Sequence, residues 1–131
     1  MSQENVEMVR CVYDAFNRED WDAAFRDADP DFEATFQRGP NAGTHRGREN
    51  LQARLLDARA AFDAWLAEPV ELLESGEQVV VIVKNRLRPK GSSGEIEFRN
   101  GHIWTIRDGT ILSLLGYPSP DDALEAAGLR E

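Results

Sequence analysis

Apolar residues recur at helical spacing in the first part of the chain. Over residues 5–18 they lie three or four positions apart, with charged and amide side chains between them, which predicts an amphipathic helix. Asp20 can cap a second, short helix over residues 21–28. This helix is expected to end at Asp29-Pro30, because the residue before a proline avoids helical backbone angles. The sequence therefore opens with a predicted helical hairpin.

The apolar pattern then changes to period 2 before it returns to helical spacing. Apolar and polar residues alternate over residues 32–37, which is typical of a half-buried strand. Residues 38–43 are rich in glycine, proline and asparagine and predict a loop. A third helix is predicted over residues 48–62, with an apolar stripe that ends at Phe62.

Strand patterns fill the second half of the chain. Strands are predicted at residues 65–74, 78–88, 95–107 and 110–117, with a short helix at 121–129. The turns between these strands are short, so consecutive strands are expected to pair antiparallel. Gly101 predicts a bulge inside the third of them. The predicted fold class is α+β, with helices and strands segregated along the chain.

Composition narrows the classes of function. A chain of 131 residues with 41% hydrophobic and 30% charged residues fits one domain, residues 1–131. The net charge of −9 repels phosphates and anionic lipids, so neither nucleic acid nor membrane is an expected partner. Cys11 is the only cysteine, and the N-terminus lacks a signal-peptide pattern, so a cytoplasmic location is expected.

Motifs for metals, nucleotides and activated nucleophiles are missing from the sequence. The two histidines, His45 and His102, stand far apart, and no carboxylate lies at HExxH spacing from either of them. The sequence contains no GxSxG, GxxxxGK or GxGxxG segment. We therefore expect no metal ion and no cofactor.

Several segments together resemble the SnoaL-like branch of the nuclear-transport-factor-2-like superfamily. They are the hairpin at residues 13–21, the segment 45–49 before the third helix, and the hairpin at 104–111, in the same element order. The resemblance implies a cone-shaped roll, in which three helices from the N-terminal half pack on a strongly curved, mixed but mostly antiparallel sheet around one small-molecule pocket. It also implies a homodimer through the outer face of the sheet.

Ketosteroid isomerase, a member of this superfamily, places candidate chemistry at two residues. His102 falls where that enzyme carries its protonated, oxyanion-binding aspartate, and Tyr13 near its oxyanion tyrosine. Both are therefore candidate catalytic residues that polarise a carbonyl or move a proton. The general-base aspartate of the isomerase falls near Thr35 or Phe36, and neither side chain can accept a proton. Steroid-type isomerisation is therefore not expected. The aspartate, arginine and aspartate of limonene epoxide hydrolase cannot all be placed on inward strand positions.

Four further residues are candidate ligand contacts. Trp21, Phe36 and Trp104 are expected to form apolar walls. Asn85 lies among valines on an apolar strand face, where an amide must be hydrogen-bonded. Its partner is expected to be a ligand or, as the structural alternative, His102 or a neighbouring backbone group.

Two functions remain open at the level of the sequence. The leading hypothesis is a small-molecule-binding protein, with cofactor-independent isomerisation, cyclisation or hydration of an apolar carbonyl compound as the candidate reaction. The alternative is a non-catalytic module for ligand binding or dimerisation, whose cone is filled by side chains. For His102 the structural alternative is a half-buried strand histidine that bonds only to backbone or water.

Overall fold

The computed structural model describes residues 2–38 and 42–129. Its elements follow in the order α1 (Ser2–Arg18), α2 (Trp21–Ala24), β1 (Ala28–Phe36), β2 (Gly43–Arg46), α3 (Arg48–Arg59), β3 (Phe62–Ser75), β4 (Gln78–Pro89), β5 (Ile96–Arg107), β6 (Thr110–Tyr117) and α4 (Pro120–Ala126). The α+β class is confirmed. None of the described helices has the length and apolar character needed to cross a bilayer.

The six strands form one sheet in the order β2-β1-β6-β5-β4-β3. The last four strands pair antiparallel with their neighbours in sequence, as predicted. β1 pairs parallel with β6, so the sheet is mixed. This pairing brings the strand nearest the N-terminus beside the last strand and continues the inner wall of the cone.

Helices cover both faces of the sheet. On the inner face α1, α2 and α3 pack over a core that includes Val9, Leu51, Val81 and Trp104. On the outer face α4 packs over a smaller cluster of Val80, Ile103 and Ala123. β4 is therefore apolar at successive positions, because both of its faces are covered along this stretch.

The predicted end of the second helix is wrong. α2 ends at Ala24, and Asp29-Pro30 lies inside β1 instead. Ala28 pairs with Ile111, and the register between β1 and β6 is irregular from Ala28 to Glu33. A proline is tolerated at such an irregularity because its missing N–H breaks no regular ladder bond.

Gly43, the last residue of the predicted loop, begins a strand. Gly43–Arg46 forms β2 and pairs antiparallel with β1, while residues 39–41 lie outside the described chain. The Thr35 and Thr44 hydroxyl oxygens lie 2.9 Å apart across this pair. A four-residue strand beside glycines is too short to display period 2 in the sequence.

The predicted end of the third helix is also wrong. α3 ends at Arg59, and Phe62 opens β3, where it pairs with Pro89. Apolar spacing alone placed Phe62 on the helix stripe. Its conformation is instead decided by its pairing with β4, which cannot be read from the helical spacing.

Gly101 marks a close approach and not a bulge. The register of β4 with β5 is continuous through Gly101, which pairs with Ile82. A Cβ atom at Gly101 would lie 2.4 Å from the Cβ of Ala123 on α4. The glycine therefore lets α4 pack on the outer face. The homodimer through this face stays a prediction.

Candidate functional site

A cavity of about 470 Å³ lies between the inner face of the sheet and the covering helices. Residues from α1, α2, α3 and five of the six strands line it. Aromatic side chains dominate the wall and include Phe16, Trp21, Phe25, Phe36, Phe62 and Trp65. A concave, mostly apolar hollow with a few polar groups is the usual form of a small-molecule site.

The structure brings the candidate site residues together around one hollow. The lining includes all six of them: Tyr13, Trp21, Phe36, Asn85, His102 and Trp104. Their roles in binding or catalysis stay predictions. His45, which we did not assign to the site, is separated from His102 by the ring of Phe36, with ring centroids 6.4 Å apart on either side.

Three of these residues form a chain of hydrogen bonds. The indole Nε1–H of Trp104 donates to the Tyr13 hydroxyl oxygen at 3.0 Å, and that oxygen lies 2.5 Å from His102 Nδ1. Tyr13 is 4% exposed on the buried stripe of α1. His102 and Trp104 are two residues apart on β5, so both side chains point to the same face. We call this set the relay.

The bonding pattern assigns the direction of each proton. Indole nitrogen can only donate, so Trp104 occupies a lone pair of the Tyr13 oxygen. The Tyr13 proton then needs an acceptor, and within residues 2–38 and 42–129 that acceptor is His102 Nδ1. His102 therefore carries its proton on Nε2. No group in the described chain hydrogen-bonds to that nitrogen.

Burial keeps His102 and Tyr13 neutral. It lowers the pKa of His102 to about 4, because a desolvated imidazole resists protonation. Burial also raises the pKa of Tyr13, and this effect exceeds the opposite effect of the hydrogen bond from Trp104. At neutral pH the relay therefore consists of uncharged groups and presents one N–H donor.

Gly116 allows Phe36 to contact the imidazole. In the sheet Gly116 pairs with His102 on one side and Phe36 on the other. A Cβ atom at this position would lie 2.4 Å from Phe36 Cδ1. The Phe36 ring lies over the glycine and meets the His102 ring edge to face at an angle of 73°. One glycine thus sets the position of an aromatic wall against the candidate donor.

Asn85 has a partner that we did not predict. Its Nδ2 donates to Asn100 Oδ1 at 3.0 Å, rather than to His102 or a backbone group. Asn85 is 4% exposed, and both amides line the cavity. Sequence reasoning missed Asn100, although its place two residues before His102 on the same strand face was available as a signal.

The matches to known proteins agree with this geometry. A sequence profile of the SnoaL-like domain family matches residues 9–114. The chain belongs to this family. The resemblance seen in the sequence is thereby confirmed. A search of curated proteins finds no match for this SnoaL-like protein.

Solved structures similar to this SnoaL-like protein share its fold. An NTF2-like protein from Burkholderia xenovorans LB400 is 30% identical, with a TM-score of 0.74 and 95% of each chain covered. An NTF2-like protein of unknown function from Burkholderia pseudomallei K96243 is 22% identical, with a TM-score of 0.80, and the match covers 93% of this chain and 95% of the other. TerC, co-crystallised with polyporic acid, is 21% identical, with a TM-score of 0.79 and coverages of 95% and 98%.

The cavity of this SnoaL-like protein is poor in charge. Arg38, just beyond β1, is the one charged side chain among the described lining residues, which include no aspartate or glutamate. Thr35, near the place of the isomerase base, hydrogen-bonds to Thr44. Within the described ranges no group of three or more histidine, cysteine or acidic side chains is placed to hold a metal ion.

Proposed function

We propose that this SnoaL-like protein binds an apolar small molecule through a carbonyl oxygen, which accepts a hydrogen bond from His102 Nε2–H. The observation that carries the proposal is the relay from Trp104 through Tyr13 to His102, in the wall of a mostly apolar cavity. A donor held by its neighbours in a site of low polarity forms a stronger hydrogen bond than it would in water.

The relay favours polarisation of the carbonyl over full transfer of a proton. If His102 gave its Nε2 proton to the ligand, Nδ1 would have to take the proton of Tyr13 to stay neutral. That exchange would leave a tyrosinate, which burial disfavours because it raises the pKa of Tyr13. His102 is therefore proposed to hold the proton while negative charge grows on the ligand oxygen.

The candidate reactions are isomerisation, cyclisation or hydration of the bound carbonyl compound. Withdrawal of charge towards the oxygen acidifies the neighbouring C–H groups and makes the carbonyl carbon more electrophilic. No carboxylate lies among the described lining residues, so water or a group on the substrate has to act as the base. The same observation supports a second candidate, a ligand carrier without catalysis.

Vibrational spectroscopy of a bound ketone tests the proposed contact. The probe is 1-tetralone, a bicyclic aromatic ketone, and its C=O stretch is expected at lower frequency when bound than in hexane. His102→Ala should abolish this shift and weaken binding about tenfold, the effect of one hydrogen bond in a dry site. His102→Gln, which retains an N–H donor, should restore part of both. An unchanged frequency and affinity in His102→Ala would refute the contact.

Hydrogen exchange separates the enzyme from the carrier. In D₂O, proton NMR follows exchange at the C2 position of 1-tetralone, which requires loss of a proton next to the carbonyl. An enzyme of the proposed class should accelerate exchange, and His102→Ala should remove the acceleration. Binding without any acceleration would favour the carrier.

A further inference from the structure

We infer that the ligand carries a hydroxyl group as a second anchor, and that this hydroxyl binds the amide pair of Asn85 and Asn100. The inference rests on the proposed function and names the ligand class more closely. The ligand is then an apolar compound with a carbonyl at one point and a hydroxyl at another. Both amides line the same cavity as the relay but take no part in it.

The amide pair lies about two strand residues away from the candidate donor, His102. Asn100 pairs with Val83 across the sheet and Asn85 pairs with Phe98, so the two amides are diagonal neighbours on one face. Asn100 precedes His102 by two residues on β5. Two residues of a strand span roughly 7 Å. A ligand in contact with both groups therefore needs polar atoms separated by about that distance.

Exposure along β5 gives the ligand a direction. Trp104, behind His102, is 6% exposed, whereas Phe98 and Ile96, beyond the amide pair, are 43% and 50% exposed. All of these residues line the cavity. The relay thus lies at the deep end and the amide pair lies between it and the apolar mouth. The carbonyl end of the ligand enters first.

The hydrogen-bond capacity of the pair selects a hydroxyl. Asn85 Nδ2 donates to Asn100 Oδ1, which leaves a free carbonyl oxygen on Asn85 and a free NH₂ group on Asn100. If the opposite amide donated, one free oxygen and one free NH₂ group would still remain. A ligand hydroxyl can satisfy both because it donates and accepts. A second carbonyl would leave the amide oxygen unpaired.

The lack of acidic side chains around the cavity argues against a cationic group. The one charged side chain among the described lining residues is Arg38, and none is an aspartate or glutamate. An ammonium transferred from water to this cavity would lose its hydration without a counter-ion. A neutral hydroxyl loses less and gains two hydrogen bonds.

Matched probes separate the two anchors. 6-Hydroxy-1-tetralone carries a carbonyl and a hydroxyl at opposite ends of a bicyclic ring system. 1-Tetralone carries the carbonyl alone, and 5,6,7,8-tetrahydro-2-naphthol carries the hydroxyl alone. Titration calorimetry on the wild-type chain is expected to give 6-hydroxy-1-tetralone about tenfold tighter binding than 1-tetralone, which corresponds to one well-formed hydrogen bond. The naphthol should bind more weakly than 6-hydroxy-1-tetralone.

Two variants decide whether the amides cause this preference. Asn85→Leu keeps the side-chain size and removes both polar atoms, so the tenfold preference for 6-hydroxy-1-tetralone over 1-tetralone should vanish. Asn100→Ala should give the same loss and serves if Asn85→Leu does not fold. A preference that survives both variants, or wild-type binding of the two ketones with equal affinity, overturns the inference. The proposed function would still stand in that case, provided that His102→Ala weakens the binding of 1-tetralone. If 1-tetralone does not bind, or binds His102→Ala equally well, both proposals fail.

Discussion

The two faces of the sheet use polar side chains in opposite ways. On the outer face Lys84 lies 3.7 Å from Glu97, and Arg86 lies 3.9 Å from both Glu68 and Glu97. These acidic side chains are about half exposed, so water screens the pairs and each stabilises the fold little. The inner face holds no such ion pairs in the described chain. Apart from Arg38 the polar groups of the cavity wall are neutral, and Trp104, Tyr13 and His102 are hydrogen-bonded in series. Burial, rather than the number of polar residues, decides how much each polar group contributes to stability.

Lowering the pH should reveal the largest difference between the faces. The pKa of His102 is about 4 in the folded protein and about 6.5 when unfolded, so the unfolded state takes up the proton first. Stability should therefore fall by up to about 3 kcal/mol between pH 6.5 and 4 through this residue. Urea unfolding at pH 7 and pH 4.5 checks this.

His102→Gln is the control, because glutamine does not titrate. Its unfolding free energy should change less over the same interval than that of the wild type. Equal slopes in the two proteins would show that His102 contributes nothing to the pH dependence.

Two glycines provide a matched test of packing on each face. A Cβ atom at Gly116 would collide with Phe36, and one at Gly101 with Ala123, at 2.4 Å in both cases. Gly116→Ala and Gly101→Ala should each destabilise the fold by about 2 kcal/mol through overpacking. Only Gly116→Ala should weaken binding of 1-tetralone, since only its collision displaces the cavity wall.

Thermal unfolding and calorimetry measure the two effects separately. Equal loss of affinity in both glycine variants would mean that the faces are coupled through the sheet. It would contradict the assignment of Gly116 to the site.

Tyr13→Phe should destabilise the fold less than the glycine variants do, but it should alter the proton position on the His102 imidazole. Loss of the hydroxyl leaves Trp104 Nε1 and His102 Nδ1 without their partner, at about 1–2 kcal/mol. The imidazole is then free to move its proton to Nδ1. Nitrogen NMR of labelled histidine distinguishes the two tautomers. A wild-type spectrum with the proton on Nδ1 would refute the direction of the relay.

The smallest effect is expected on the outer face. Lys84→Gln should change the unfolding free energy by less than about 1 kcal/mol, because the partner Glu97 is half exposed. Its affinity for 1-tetralone should equal that of the wild type. A large loss of stability in urea would show that the charged outer face is as important as the inner one.

Strand periodicity predicted which side chains face the site, but it did not predict the hydrogen bonds between them. Alternation placed His102 and Trp104 on one face and Asn85 among the inward valines. It did not reveal that Asn85 meets Asn100, because the register between β4 and β5 decides which residues are diagonal neighbours. The end of α2 and the existence of β2 were also missed. The first depends on the pairing of β1 with the distant strand β6, and the second on the pairing of four residues with β1.

The sequence by itself determined the order of most elements and the face on which each strand residue lies. Those properties follow from backbone geometry over a few neighbouring residues. The tertiary structure decided that the inner face encloses a hollow and that Tyr13 reaches His102, 89 positions further along the chain. Such contacts depend on how a helix docks on a curved sheet, and no local pattern of residues records that docking.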